Sequence, residues 1–418
     1  MFKLPIKPLA LFAAAILVTA PAIAQDSGAL LEVLVRKGIL TDQEAEDIRA
    51  ELVRDASQPP ATATGGSNFT TRLRLSGRLQ AQYAGLDTGI ENAADPASTN
   101  HFFLRRIYLT ARADLGPDWN ANITYDFAGD LFDAAFIQWK QSPTLSFDFG
   151  LRKVNVGYEE RTSSGSLKAI ERSGVTRYFV EENNGRRLGA GSYRVGIFMD
   201  GTAGNFFYGA AVTNPERAVN FSNAAGVGNG SNNGVALWAN AGYNGTFEGG
   251  TFVIGAGAGH LPDQGGKAGT APFGAGTGAD LQVYSLYTDI TADRFGLAAE
   301  YLWANVERGA SATRDANPAG FWIQPTFKLT EQLEAVFRYS VLDSDGRGVN
   351  VSDGVRSAPS GGTHNELTEM FVGGNWYIKG NDLKFQAGYV YGETEETVTG
   401  NPAEAKAHGI RSQLQLNF

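Results

Sequence analysis

The chain has 418 residues, 52 glycines, no cysteine, 11% aromatic residues and a formal net charge of −9. Its mean hydropathy of −0.20 excludes a bundle of membrane-spanning helices, each of which needs about 20 apolar residues, and its acidity argues against nucleic acid as a partner. Without cysteine there is no disulfide framework, while the glycine and aromatic content fits many short strands joined by turns.

In chain order, Lys3 and Lys7 make a positive n-region, Leu9 to Val18 an apolar run, and Ala22-Ile23-Ala24 a small-x-small cleavage site, with Gln25 the first mature residue. Residues 1–24 therefore read as a Sec signal peptide, too short for a membrane anchor. Residues 25–56 read as a short periplasmic helical segment. Leu30, Leu31, Leu34, Val35, Ile39, Leu40, Ile48 and Leu52 recur at helical spacing, and Thr41 with Glu44 makes a capping box. The segment reads either as a trimerising coiled coil or as a loosely ordered tail. Residues 57–69, rich in Pro, Ala, Thr and Gly, form a linker.

From residue 70 to 418 the pattern is strands. Leu73, Leu75, Leu79, Ala81 and Tyr83 share one face of the first run, and Arg72, Arg74, Ser76, Arg78, Gln80 and Gln82 the other. A period of two with one apolar face is the pattern of a transmembrane β-strand. Sixteen such runs follow: 70–84, 101–114, 118–127, 131–140, 144–153, 186–200, 204–213, 234–244, 246–259, 280–291, 293–304, 318–329, 331–343, 364–378, 381–391 and 406–418. Long connections at 85–100, 154–185, 214–233, 260–279, 305–317, 344–363 and 392–405 alternate with tight turns such as Gly116-Pro117, Ser142-Pro143, Asn244-Gly245 and Lys379-Gly380-Asn381. The fold class that follows is all-β: a 16-stranded antiparallel transmembrane barrel with short periplasmic turns and long outer loops. Trp119, Trp139, Trp303, Trp322, Trp376, Tyr377, Tyr389 and Tyr391 fall near strand ends, as interfacial girdles require. The last strand alternates and ends on Phe418, like an outer-membrane assembly signal.

Several segments resemble the phosphate-selective porins O and P. They are Phe103-Leu104-Arg105-Arg106, Gly150-Leu-Arg-Lys153 leading to Tyr158-Glu159-Glu160-Arg161-Thr162-Ser163-Ser164, Ile170-Glu171-Arg172-Ser173, and Gly374-Asn375-Trp376-Tyr377-Ile378. The resemblance implies a homotrimer in the bacterial outer membrane, in contact with lipid and lipopolysaccharide, whose third outer loop, 154–185, folds into the lumen. It also implies passage of small anions, phosphate or polyphosphate, past a basic constriction, and it makes Lys153 the constriction lysine. The constriction residues expected are Arg78, Arg105, Arg106, Lys153, Arg161, Lys168 and Arg172.

Parity supports part of this set. Arg78 lies on the polar face of its run. Arg106, Tyr108, Thr110 and Arg112 share a face, whereas Arg105 falls in with Ile107 and Leu109, so an inward Arg105 needs a bulge or a place at the rim. Lys328, Arg338, Lys384 and Arg411 also lie on polar faces, but so do Asp126, Asp148, Glu300, Glu334 and Glu369, which leaves a mixed-charge lumen open. His101, His260, His364 and His408 are scattered, with no nucleophile triad and no metal-ligand spacing, so the sequence implies no enzyme, cofactor or metal. Asp87-x-Gly89 and Asp263 to Gly266 read as turns. The rival readings are a general diffusion porin of the same fold, a structural outer-membrane tether and an outer-membrane hydrolase.

Overall fold

The computed structural model describes residues 72–181, 186–215, 234–262, 280–311, 313–395 and 404–418. The segments expected at 1–24, 25–56 and 57–69, and the turn at Asp263 to Gly266, lie outside the described residues.

Seventeen strands follow in chain order: β1 (Arg72–Ile90), β2 (Thr99–Leu115), β3 (Trp119–Asp126), β4 (Leu131–Ser142), β5 (Leu145–Lys153), β6 (Tyr193–Ala203), β7 (Phe206–Thr213), β8 (Ala236–Phe247), β9 (Gly250–Leu261), β10 (Leu281–Ala292), β11 (Phe295–Ser311), β12 (Arg314–Ala316), β13 (Ala319–Lys328), β14 (Leu333–Asp343), β15 (Glu366–Asn381), β16 (Leu383–Glu395) and β17 (Glu404–Asn417). β12 is three residues long and pairs with the outer end of β11, whose main partner on that side is β13. The barrel therefore has sixteen staves. Each pairs antiparallel with the next, and β1 pairs with β17 from Arg78 opposite Asn417 to Ile90 opposite Ala405, which closes the sheet. Among the described residues no helix is long and apolar enough to cross a membrane; the strands do the crossing.

Closure follows from solvation: in hydrocarbon every backbone N–H and C=O must be paired within the protein, and an open edge leaves a row unpaired. The alternation sets which face meets lipid. Leu73, Leu75 and Leu79 are exposed, whereas Gln80 and Gln82 are buried. At the seam, Gln80 sits opposite Gln415 and Gln82 opposite Gln413, and their side-chain amides bond across it at 2.7 and 2.8 Å. Phe418 exchanges both backbone hydrogen bonds with Gly77, at 2.7 and 3.1 Å. A Cβ on Gly77 would stand 2.3 Å from the Phe418 ring, so the glycine makes room for the terminal aromatic.

Several boundaries differ from the sequence reading, four of them with a bearing on the loops and turns. β1 and β11 run to Ile90 and Ser311, past the expected ends at 84 and 304, because their outer ends pair as hairpins beyond the lipid. Asn244-Gly245 lies inside β8, and the turn falls at Glu248-Gly249, where Gly249 takes φ +81°. The sixth stave begins at Tyr193, not 186, so residues 186–192 belong to the preceding loop.

That loop carries two short helices, α1 (Tyr158–Arg161) and α2 (Gly174–Val180); a third, α3 (Val351–Gly354), lies in the loop between β14 and β15. Val175, Tyr178, Phe179 and Val180 of α2 are buried against the inward faces of the wall, in one cluster with Leu281, Val283, Leu302, Trp322 and Leu342. A second cluster joins Ile170 to Val336, Phe371 and Val390 of the wall and to Val351 and Val355. Burying each such side chain is worth about 1.5–3 kcal/mol, so apolar clusters fill much of the barrel interior, reaching from Phe198 on β6 round to Ala405 on β17 and Leu86 on β1. Trp322, expected in a girdle, is 2% exposed and belongs to this inner core. Trp119 and Trp139 do stack on each other, at 5.8 Å, with Trp119 exposed.

The motif glycine Gly150 has a backbone reason. It sits at φ +130° where β5 crosses β4, and a Cβ there would lie 2.3 Å from the Ala135 carbonyl oxygen and 2.9 Å from Phe136 Cα. Gly150→Ala is expected to destabilise the barrel by about 2 kcal/mol, read as a lower temperature for loss of the compact band on unboiled gels. A transition temperature equal to wild type would refute this.

Candidate functional site

β5 delivers Lys153 to the inner wall, and the chain then leaves the sheet for the interior. The room left by the apolar core is an opening of about 510 Å³ against β1–β6. Of the expected residues, Arg78, Arg105, Arg106, Lys153, Arg161 and Arg172 line it, joined by Arg187 and by Arg356, which the sequence reading missed. Eight cations thus face four carboxylates there: Asp126, Asp133, Glu160 and Glu181. Lys168 does not line this opening. Residues 167 and 168 are drawn toward β14 and β16: the Leu167 carbonyl accepts from Lys384 Nζ at 2.9 Å, and the Lys168 ammonium pairs with Glu334. Lys168 lines a separate cleft of about 150 Å³ with Tyr158, Asp289 and Gln324.

Arg105 and Arg106 both point inward because of a bulge. Gln80 pairs with Arg106 and the next residue, Ala81, with Leu104, so Arg105 is the extra residue in β2. A bulge inserts one residue and re-aims its side chain without breaking the alternation on either side.

The lining cations divide by what backs them. Arg105 binds Glu171 at 2.7 Å and Arg356 binds the same carboxylate at 3.0 Å. Lys153 and Arg172 share Glu160, at 3.1 and 3.0 Å, and Arg187 pairs with Glu181. Arg172 also donates to the carbonyls of Glu159, Glu160 and Thr162, so it braces α1. The other three have neutral partners among the described residues. Arg78 donates to Asn417 at 2.8 Å and to Ser164 and Ser163 at 2.8 and 3.2 Å. Arg106 donates to Gln80 at 2.7 Å, and Arg161 to the Tyr287 hydroxyl at 3.1 Å. Arg161 also lines a second opening of about 530 Å³, bounded by Pro143, Thr144 and Thr202 at the turn end of the barrel. It therefore stands where the two openings meet.

A closed sixteen-stave barrel with a charged, loop-narrowed interior is a porin, a channel-forming protein of the outer membrane. The family model of the phosphate-selective porins O and P matches residues 73–418, and the chain belongs to that family. Its fold is similar to that of several solved outer-membrane protein structures. OmpF of Salmonella typhi in complex with daunomycin aligns at 14% identity and a TM-score of 0.53, over 84% of this chain and 99% of that one. The outer membrane channel DcaP of Acinetobacter baumannii aligns at 13% identity and a TM-score of 0.52, over 85% and 99%. A loop L8 deletion mutant of Vibrio cholerae OmpT aligns at 13% and 0.50, over 82% and 98%. Comparison with curated protein sequences gives no match.

The loops above the opening are tied together by charge. Burial pushes the Glu171 carboxyl up, but Arg105, Arg356 and Arg106 overcome this and hold it well below the ordinary carboxylate range. Glu160 is likewise raised by burial and pulled lower by Arg172 and Lys153. For Glu181, burial is outweighed by Arg177, Arg356 and Arg187, which bring its carboxyl to about 2. Arg356 comes from the loop between β14 and β15, and Arg177 reaches the same loop through the carbonyls of Ser352 and Asp353, at 3.0 and 2.6 Å. A carboxyl lowered in the folded state stabilises it above the unfolded-state value near 4.5 and loses that effect as pH falls through the folded value. The tie between these loops is therefore expected to hold at neutral pH and to weaken as pH falls from about 4.5 to about 2. Protease cleavage after Arg356, assayed following brief acid exposure, should rise across that window, and Glu181→Gln should show the raised cleavage already at neutral pH. Equal cleavage of the two proteins at neutral pH would contradict the assignment.

Proposed function

We propose that this porin conducts small anions by passive diffusion, inorganic phosphate foremost. In the same proposal, residues 1–24 export it to the outer membrane, where it forms a homotrimer whose outer face meets lipid and lipopolysaccharide. The observation that carries the anion reading is the trio Arg78, Arg106 and Arg161, which face the openings with neutral partners. A phosphate that sheds water needs replacement donors, and the planar guanidinium fork supplies two at once. Passage also needs release, so binding must stay weak and be spread over several places. Glu171, Glu160 and Glu181 provide this by pairing with the other five cations, which leaves a short series of guanidiniums hydrogen-bonded only to neutral groups rather than one deep trap.

Asp126 and Asp133 line the same opening and favour a second reading, a general porin with a mixed-charge lumen. Zero-current potential under a chloride gradient separates the two, and the expected sign is that of an anion-selective pore. Added phosphate is expected to block the chloride current, and Arg106→Ala or Arg78→Ala to weaken that block about tenfold, roughly 1.4 kcal/mol. Lys168→Ala should leave it unchanged. Cation selectivity, or chloride current indifferent to phosphate, would overturn the anion reading and leave the general porin.

A further inference from the structure

We propose that Glu300 is a positioning residue for the channel: from the wall it pins α1, and so fixes where Arg161 stands between the two openings. Glu300 lies on β11, 2% exposed. One carboxylate oxygen accepts from the Tyr158 backbone N–H at 2.6 Å; the other accepts from the Glu159 N–H at 3.2 Å and from the Trp322 indole N–H at 3.1 Å. Tyr158 and Glu159 are the first two residues of α1, whose own N-cap is Gly157, a residue with no side chain to cap them. The first N–H groups of a helix have no partner inside it. Here a carboxylate from across the barrel serves instead.

The geometry links this anchor to Arg161. A helix of four residues has one turn, so fixing its first two N–H groups fixes the placement of its last residue. The wall on either side of Glu300 grips the same turn. The Tyr158 ring stacks on Tyr287 at 4.9 Å, its hydroxyl donates to Asp289 at 2.5 Å, and Arg161 donates to the Tyr287 hydroxyl. Gly157, at φ +81°, lets the chain bend so that Glu300 can reach: a Cβ there would already lie 3.3 Å from Glu160 Cβ and 3.4 Å from Val180.

A second wall carboxylate sharpens the contrast. Glu369 on β15 accepts from the Gly174 N–H at the start of α2, at 2.6 Å, but it is also ion-paired with Arg338 at 2.6 Å. Replacing Glu369 would take one of two carboxylates from the buried Arg338, which also holds Glu159 of α1 at 3.0 Å, so its effect could not be assigned to α2 alone. Glu300 pairs with no cation among the described residues, so its removal releases α1 without that cost.

The proposal needs a conducting barrel, not an anion-selective one, so its test is separate from that of the preceding section. Single-channel current in potassium chloride is compared for wild type, Glu300→Gln, Arg161→Ala and the double variant, with compact migration on unboiled gels as the check of folding. Glutamine keeps the shape but offers one acceptor oxygen where three N–H groups now share two. The expected result is about a twofold change in conductance, with added open-channel noise, for Glu300→Gln, and no further change when it is added to Arg161→Ala. Conductance equal to wild type would overturn the proposal. So would the same change in the Arg161→Ala background, since that would make Glu300 a general support of the loop. If Glu300→Gln does not fold, Gly157→Ala tests the same placement of α1 by strain at positive φ, and wild-type current from that variant would equally overturn it.

Discussion

A sheet in hydrocarbon has to close, and closure here depends on one join between the two ends of the chain's strand series, β1 against β17. Thirteen register pairs run along it, and the lumen side is faced with glutamine. Gln80 with Gln415 and Gln82 with Gln413 hold each other across the seam, then pass bonds inward, Gln82 to Glu171 and Gln415 to the Gly165 carbonyl, and along the wall, Gln413 to Gln386 on β16. The amide side chain suits the place because it both donates and accepts without carrying charge. The seam thus supports the barrel and the interior loop together, and the loop could not take its present course if the register slipped by two residues.

The interior is balanced by exchange between wall and loop. Wall carboxylates Glu300, Glu334 and Glu369 take loop N–H groups and an ammonium; wall cations Arg338 and Lys384 take loop carboxylates and carbonyls. A buried charge without such a partner would cost several kcal/mol, so the polar parity of the strands is satisfied largely by the loop rather than by water. In the openings, Arg78 and Arg106 from the wall and Arg161 from α1 rest instead on amides and hydroxyls.

Much of this was legible in the sequence, for reasons that can be located. Period-two alternation with short and long connections specifies a barrel because lipid enforces both, and Arg78 and Arg106 could be placed inward by parity alone. Arg105 could not: a bulge adds one residue to the count, and nothing local to Leu104-Arg105-Arg106 marks it. Lys168 was expected among the lining cations because it lies in the right loop, yet Glu334, 166 residues away, takes it elsewhere. Arg356 was invisible for the same reason, since its place depends on Glu171 and Glu181 from another loop. Trp322 lies on the inward parity of β13, but strand-end aromatics resemble a girdle whichever way they point. The one available signal was that stretches such as Leu302-Trp303-Ala304 are apolar on both faces, which a water-lined stave has no reason to be.

Those doubly apolar staves have a practical bearing on redesign. Cutting out residues 154–192 is the obvious way to widen such a channel, yet it would bare Leu281, Val283, Leu302, Trp322 and Leu342 along one side of the tube. Water withdraws from a narrow greasy wall, so the emptied half would tend to dry out or collapse rather than conduct. In this barrel, more room and more flow are not the same thing.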